Sequence, residues 1–255
     1  MPDSAASPQT YSDDQAWLSV SPALAQGGDW ESWLQDGESK LEALALREDR
    51  ELGTGRGAAR AVAFESSAVQ GAADGNPVAS PGNSVLHGAW RINRHGGLFG
   101  GIRGDRYRDA SRLQQEVNLS GALRFMGVHT PEVLLAYSKR HASWWRQHLV
   151  TTEIRDAVTV FDARESEEAM RAAGTLLEQL FSVGLWATDL HPGNLLWQKQ
   201  AQRCWLIDLA GAELRPQGLS MSERRSRVER FARFFKKHAG SEPAAMAELR
   251  RSLLG

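Results

Sequence analysis

Three polar side chains with a fixed spacing in the second half of the chain could carry out chemistry together. Asp189 and Asn194 flank the tight loop Asp-Leu-His-Pro-Gly-Asn, and Asp208 ends the apolar run Leu-Ile-Asp. A carboxylate and an amide on one loop can point into the same cavity, and an acid at the end of the next strand can meet them there. Such a set suits phosphoryl transfer, in which Asp189 orients a hydroxyl group and accepts its proton. Asn194 and Asp208 would hold Mg²⁺, which takes few hard oxygen ligands and keeps several waters.

The same residues also have an ordinary structural interpretation. Asp and Asn are common in turns, so Asp189 could be a cap beside a Pro-Gly turn and Asp208 a strand-terminal turn residue. The complete pattern is D-x-x-x-x-N, then an apolar strand that ends in Asp, all after a long helix. This combination favours the catalytic interpretation over the structural one.

The elements that must position these residues divide the chain into a β-rich front half and a helical back half. Apolar periodicity, glycine stops and turn signals indicate the following elements. Helices are expected over 38–48, 112–126, 167–183, 222–238 and 243–254, strands over 61–64, 87–94, 131–137 and 144–154, and a β-hairpin around the Leu-Ile-Asp run. Residues 66–84 are a loop by composition.

The composition bounds the class of protein. The chain has 255 residues, of which 42% are hydrophobic and 24% charged, so it can bury a core and is not disordered throughout. Its net charge of −1 excludes a globally basic nucleic-acid binder. We expect no membrane span, because no run of about 18 apolar residues occurs, and no secretory signal, because the N-terminus is polar. A single cysteine, Cys204, makes an intrachain disulfide impossible, so the expectation is a soluble, cytosolic protein.

The charge is unevenly distributed along the chain. Residues 1–52 hold eleven acidic and three basic residues, whereas residues 214–255 hold ten basic and four acidic residues. Residues 1–27 are rich in Ser, Pro, Ala and Gln and are expected to form a mostly flexible segment. The asymmetry indicates a surface with two differently charged faces.

The segment DLHPGN…LID resembles the catalytic and metal-binding loops of the protein-kinase-like fold in its small-molecule kinase branch. More narrowly, GGLFGGIRGDRY (96–107), LRFMGVHTPEVL (123–134) and RQHLVTTEI (146–154) resemble the lipopolysaccharide core kinases. Within that family the likeness is greatest to the 3-deoxy-D-manno-octulosonic acid (Kdo) kinases, and it runs from about residue 86 to residue 237. The resemblance implies an α+β, protein-kinase-like bilobal fold, with a small β-rich N-lobe and a mainly helical C-lobe.

By this resemblance Asp189 is the catalytic acid/base, and Asn194 and Asp208 are the magnesium ligands. Glu116, on the helix of the front half, corresponds to the glutamate that pairs with the nucleotide-binding cation. That cation is Arg91 or its alternative Arg94, because the strand HGAWRINR has no lysine. An arginine can bind phosphate oxygens with two hydrogen bonds at once, so the replacement is chemically workable.

Two further segments correspond to nucleotide-binding parts of the family. The backbone of Thr152-Glu153-Ile154 would offer hydrogen bonds to adenine. Gly53, Gly55 and Gly57 could form a glycine-rich loop that lets backbone amides approach phosphates, or simply a turn between two strands.

Of three features outside the core motif, two leave alternatives open. His191 could contact substrate or phosphate, or be a surface loop histidine, while Cys204 is expected to be a small core residue. The basic, aromatic helix 223–237 could pack Val228, Phe231, Phe234 and Phe235 against the core, or could present a basic face to anionic lipid headgroups. Both interpretations can hold for the same helix.

The resemblance implies an ATP- and Mg²⁺-dependent kinase of a sugar hydroxyl in the lipopolysaccharide inner core, and most closely the 4-hydroxyl of Kdo on lipid A. Residues 1–27 would be the flexible segment, 28–154 the N-lobe and 155–255 the C-lobe. We expect ATP and the glycolipid as partners, with no nucleic acid, and a cytoplasmic location at the inner membrane surface. The alternatives are another acceptor, such as an inner-core heptose or a small hydroxyl compound, and a pseudokinase binding module. The pseudokinase is suggested by the missing lysine and by Ala187, which replaces the family's usual histidine.

Overall fold

The computed structural model describes residues 7–26, 28–52, 59–66, 84–94 and 104–255. The chain forms two compact units, one from residues 1–114 and 132–153 and the other from residues 115–131 and 154–255. Helices and antiparallel sheets occur together, so the α+β class expected from the sequence is confirmed. The bilobal kinase-like arrangement stays a prediction.

The first unit is built on a seven-stranded antiparallel sheet. The strands are β1 Gln9–Ser12, β2 Ala16–Val20, β3 Glu51–Leu52, β4 Ala59–Ser66, β5 Ser84–Ile92, β6 Val133–His141 and β7 Trp144–Thr152. Their order in the sheet is β1-β2-β6-β7-β5-β4-β3. The long strands β6 and β7 follow each other through a short turn and form the centre of the sheet beside β5.

Alternating side chains of this sheet make the core of the first unit. The short helix α1 (Pro22–Ala25) and the long helix α2 (Trp33–Glu48) supply Leu24, Leu41 and Ala45 to the same buried cluster. Trp90 of β5 belongs to this cluster. Because successive side chains of a strand lie on opposite faces of the sheet, its neighbour Arg91 lies on the other face. The sheet thereby fixes the face on which Arg91 lies.

The segment 1–27, expected to be flexible, instead supplies two strands to the sheet. Strand β2 pairs with β6, and Leu18 on it is fully buried. The physical reason is that Ala16, Leu18 and Val20 alternate along one side of a strand and are buried there. The average composition of residues 1–27 is polar, so a judgement from composition misses this short apolar pattern. Residues 1–6 lie outside the described part of the chain.

The second unit contains most of the helices and two small antiparallel sheets. The helices are α3 Ser111–Phe125, α4 Glu167–Ser182, α5 Met221–Ala239 and α6 Met246–Leu254. Helix α3 begins in the first unit and continues into the second. The strands are β8 Ala157–Thr159, β9 Leu185–Ala187, β10 Leu195–Gln198, β11 Arg203–Leu206 and β12 Ala212–Leu214. Their orders in the two sheets are β11-β10-β8 and β12-β9.

Helix α4 is the centre of the second unit, and local signals in the sequence define both of its ends. Ser166 caps the N-terminus by accepting a hydrogen bond from the backbone N–H of Ala169 at 3.2 Å. Gly184, just past the C-terminus, has a φ of +80°, and a Cβ there would clash with the carbonyl oxygen of Gln217. Only glycine fits this stop, which confirms the predicted end of the helix.

Several sequence expectations fall on residues that the structure does not describe. The glycine-rich turn with Gly53, Gly55 and Gly57 lies outside the described residues, as do most of the 66–84 loop and residues 96–103 of the GGL…DRY segment. Among the helices of the described ranges, none combines the length and the apolar character needed to cross a membrane.

Candidate active site

The loop from Asp189 to Asn194 lies between strands β9 and β10 in the second unit. Pro192, Gly193 and Asn194 form one turn of 3₁₀ helix, and the backbone N–H of Asn194 donates to the carbonyl of His191 at 2.9 Å. Proline suits the first position of such a turn because its fixed φ is already helical. The loop is therefore a fixed turn that holds its polar side chains in place.

Two antiparallel strand pairs bring Asp208 to this loop. In the β10–β11 hairpin Leu195 is opposite Leu206, and the backbone N–H of Ile207 donates to the carbonyl of Asn194 at 3.1 Å. Asn194 and Asp208 consequently lie at the same end of the hairpin. The β9–β12 pair adds a second connection, because Ala187, two residues before Asp189, is opposite Ala212.

The structure gives the two proposed magnesium ligands defined orientations. The amide Nδ2 of Asn194 donates to the backbone carbonyl of Asp189 at 2.9 Å, which directs the amide oxygen away from that bond. One carboxylate oxygen of Asp208 accepts from the backbone N–H of Ala210 at 3.0 Å. A carboxylate and an amide oxygen are hard donors of the kind that Mg²⁺ takes, so these residues fit the ion. Across the described ranges, no cluster of three or more His, Cys, Asp or Glu residues with metal-binding geometry was found.

The carboxylate of Asp189 is exposed to solvent and is hydrogen-bonded through one of its two oxygens. Its side chain is 58% exposed, and its Oδ1 accepts a hydrogen bond from Nη2 of Arg230 at 2.9 Å. His191 Nε2 lies 3.9 Å from the same oxygen. Arg230 belongs to helix α5, so this helix supplies a positive charge directly beside the proposed catalytic residue.

His191 is fixed by two contacts and is not a free surface histidine. Its Nδ1 accepts a hydrogen bond from the backbone N–H of Gly193 at 3.1 Å, and its ring stacks on Phe234 with 4.3 Å between centroids. Burial lowers the pKa of His191, and the charge of Arg230 lowers it further, while Asp189 and Asp208 oppose the change. Because Nδ1 accepts from Gly193, the neutral form of the ring has its proton on Nε2, the nitrogen that lies near Asp189.

Helix α5 packs on the core through its aromatic face, as one of the two sequence interpretations predicts. Val228, Phe231 and Phe235 are almost completely buried, and Phe234 is half-buried against the loop. Sequence reasoning missed that Arg227 and Arg230 also face the loop: Arg227 Nη1 donates to the carbonyl of Ala187 at 3.0 Å. The signal was available, because residues 227, 230 and 234 are spaced to share one side of a helix.

Cys204 is a core residue, as expected. It is 2% exposed on strand β11, and burial raises the pKa of its thiol to about 12. The thiol is therefore an unreactive part of the second unit's core.

The candidate phosphate-binding residues lie on different elements. Arg91 is half-buried in strand β5, opposite Leu149 of β7, whereas Arg94 is exposed beyond the end of that strand. Glu116 is 4% exposed on helix α3. Arg91 belongs to the first unit and Glu116 to the second, and their pairing stays a prediction.

Glu153, which belongs to the proposed adenine-binding segment, makes backbone and side-chain hydrogen bonds within the first unit. Its backbone N–H donates to the carbonyl of His87 at 3.0 Å, so the sheet uses one of the backbone groups of the 152–154 segment, and the contact of that segment with adenine stays a prediction. Its carboxylate, 7% exposed, accepts two hydrogen bonds from Arg50 at 2.6 and 2.8 Å. Sequence reasoning missed this ion pair because the two residues are about a hundred positions apart.

The comparison with curated proteins agrees with the resemblance drawn from the motifs. Two curated relatives are 3-deoxy-D-manno-octulosonic acid kinases: one from Vibrio cholerae is 30% identical over 129 residues, and one from Vibrio vulnificus (strain CMCP6) is 32% identical over 128 residues. Each alignment covers just under half of this chain and 54% of the relative, so the chain spans about half the length of the curated relatives it matches. A solved structure described as WaaP in complex with acyl carrier protein covers 92% of this chain and 97% of that chain, at 15% identity and a TM-score of 0.44.

A family model matches a larger part of the chain than the curated relatives do. The lipopolysaccharide kinase (Kdo/WaaP) family model matches residues 75–250, which is more than half of the chain and includes the loop and hairpin described above. This protein belongs to the lipopolysaccharide kinase (Kdo/WaaP) family.

Proposed function

We propose that this protein transfers the γ-phosphate of ATP to a sugar hydroxyl of the lipopolysaccharide inner core, and that the acceptor is the 4-hydroxyl of Kdo on lipid A. The observation that carries the proposal is the meeting of Asp189, Asn194 and Asp208 around one loop and one hairpin end. The family and the names of the curated relatives support a kinase reaction on a Kdo-containing acceptor.

Each residue of the set has a separate task in this reaction. Asp189 orients the acceptor hydroxyl and takes up its proton as the phosphoryl group is transferred. The Asn194 amide oxygen and the Asp208 carboxylate hold Mg²⁺ in hard oxygen ligation. When bound, the ion neutralises charge that develops on the phosphoryl oxygens.

The ATP phosphates require a cation from the protein, and Arg91 is our proposed contact. It lies inside the long strand β5, whereas the alternative, Arg94, lies beyond the strand end. A residue within a paired strand has a better-defined position than one in the following loop. For Glu116 we keep the prediction that it orients this cation.

We also propose that the exposed side of helix α5 faces the anionic surface of the inner membrane on its cytoplasmic side. Arg225, Arg233 and Lys237 are exposed on it, and no ion pair is recorded for them within the described residues. Each basic residue close to an anionic leaflet contributes about 1 kcal/mol of attraction. A kinase that acts on a lipid-anchored sugar would gain from such contact.

A labelled-ATP assay tests the proposed reaction. We expect Mg²⁺-dependent transfer of the γ-phosphate to Kdo-lipid A, and little transfer to heptose-containing inner-core acceptors or small hydroxyl compounds. Preferred labelling of another acceptor would overturn the substrate assignment while leaving the kinase. ATP binding without transfer to any acceptor would favour a pseudokinase and would overturn the reaction.

A further inference from the structure

The two carboxylate oxygens of Asp189 are in different surroundings. Within the part of the chain that the structure describes, Oδ1 accepts from Arg230 and faces His191 Nε2, and no partner is recorded for Oδ2. A carboxylate that is held through one oxygen cannot rotate without breaking that contact. The other oxygen is then the atom left to meet a substrate hydroxyl.

We propose that Arg230 and His191 are positioning residues, which hold Oδ1 of Asp189 so that Oδ2 accepts the proton of the acceptor hydroxyl. This inference rests on the proposed function of Asp189 as the catalytic base. It assigns a task to helix α5 beyond core packing, because that helix provides both Arg230 and the aromatic support of His191.

Helix α5 is anchored on both sides of Arg230, so the guanidinium position is well defined. Arg227, one turn earlier, donates to the carbonyl of Ala187, and its guanidinium lies 4.1 Å from the ring of Trp186. Phe234, one turn later, stacks on His191 at an angle of 12°. These contacts tie one face of the helix to the segment that enters and forms the loop.

The ion pair between Arg230 and Asp189 is solvent-exposed and therefore contributes little free energy to folding. The two side chains are 43% and 58% exposed, and double-mutant cycles of exposed ion pairs give about 0.2–1 kcal/mol. The pair therefore adds little to folding. A contact of this strength can nevertheless decide which of two nearly equal orientations a carboxylate takes.

His191 offers a test that separates positioning from capping. Its Nδ1 accepts from the Gly193 N–H and so caps the 3₁₀ turn, whereas its Nε2–H faces Asp189. Asparagine can replace the Nδ1 acceptor and glutamine can replace the Nε2–H donor. If the donor matters, His191→Gln keeps more activity than His191→Asn. The reverse order would show that His191 serves only the turn and would overturn its part of the proposal.

For Arg230 the measurements are kcat and both KM values in the labelled-ATP assay. We expect Arg230→Gln to lower kcat about 10- to 100-fold, the scale on which small misplacements of reacting groups act, with KM for ATP unchanged. Arg230→Lys should recover part of kcat, because it restores a positive donor. Arg171→Gln, which removes an exposed arginine from helix α4, is the matched control and should leave kcat unchanged. An Arg230→Gln variant with full kcat, or a loss confined to KM for ATP, would overturn the proposal.

A double-mutant cycle keeps the test independent of the proposed reaction. The unfolding free energies of Asp189→Asn, Arg230→Gln and the double variant should be non-additive, because the two side chains are in contact. Additive values would overturn the ion pair itself, whatever the enzyme does. If the cycle shows coupling and no acceptor is phosphorylated, the proposed function fails and the positioning role fails with it, while the contact stands.

Discussion

The two units of this protein contain polar clusters that are built in opposite ways. In the first unit, buried His148 accepts a hydrogen bond from the Trp90 indole N–H at 3.3 Å through Nδ1, and its Nε2 lies 2.8 Å from a carboxylate oxygen of Glu38. In the second unit, Asp189 is exposed and has one hydrogen bond to its side chain from the described residues. A closed network whose members satisfy each other stabilises a fold, whereas an open carboxylate on a fixed loop is available to a substrate.

The largest expected effect concerns the open site. Asp208→Asn should abolish the stabilisation that ATP gives in the presence of Mg²⁺, because the proposed Mg²⁺ site would lose its charged ligand. For the wild-type protein this stabilisation is about 2.7 kcal/mol at an ATP concentration of 100 times Kd. Thermal unfolding with ATP, with and without Mg²⁺, measures it. If the variant keeps the full Mg²⁺-dependent stabilisation, Asp208 is not a metal ligand.

A change in the closed network should affect folding and leave the chemistry alone. Glu38→Leu leaves the Nε2–H of His148 without its carboxylate acceptor, which should cost about 1–3 kcal/mol of unfolding free energy. Glu38→Gln keeps an acceptor oxygen and should cost less. Denaturant unfolding measures both. The contrast between the units would be wrong if both variants had wild-type stability.

The same carboxylate predicts a pH dependence of stability. Burial alone would raise the pKa of Glu38, but hydrogen bonds from His148 and His141 and their charges lower it to about 2 from its ordinary value of 4.5. A depressed pKa in the folded state adds stability above the unfolded value, and this contribution is lost as the pH falls from about 4.5 towards 2. Unfolding curves across this range should be less pH-dependent for Glu38→Gln than for the wild-type protein. Equal slopes would contradict the assignment.

The smallest expected effect concerns the reactivity of Cys204, which is buried in the core of the second unit. Cys204 should not react with a maleimide at pH 8 in the folded protein, because its thiol is buried and its pKa is about 12. The thiol should react fully once denaturant unfolds the chain. Mass spectrometry after a short exposure measures this. Rapid labelling of the folded protein would show that the core opens more easily than the structure indicates.

Elements with a strong local signal could be predicted from the sequence. The bounds expected for the helix at 167–183 and the helix at 222–238 agree with α4 and α5 to within a residue or two. Periodicity, the Ser166 cap and the Gly184 stop all act within one or two turns, so no tertiary information was needed. Strands β8, β9 and β12 were missed because each has three residues and depends on a distant partner.

The same difference between local motifs and long-range contacts applies to the candidate site. The loop motif identified Asp189, Asn194 and Asp208 as a set, because a six-residue pattern and one hairpin bring them together. The contact from Arg230 to Asp189 joins residues 41 positions apart and depends on how helix α5 packs. The ion pair between Arg50 and Glu153 is likewise a product of sheet order. The spacing of residues 227, 230 and 234 groups them on one side of a helix, but no local pattern shows which part of the chain that side contacts, and the Arg50–Glu153 pair has no local pattern at all.

The central claim is that Asp189 is the catalytic base of an ATP-dependent sugar kinase. The most direct measurement is transfer of labelled γ-phosphate from ATP to Kdo-lipid A by the wild-type protein and by Asp189→Asn, at equal thermal stability. We predict a loss of about 10²- to 10⁴-fold in kcat, the usual contribution of a positioned general base. Equal rates for the two proteins would contradict the account.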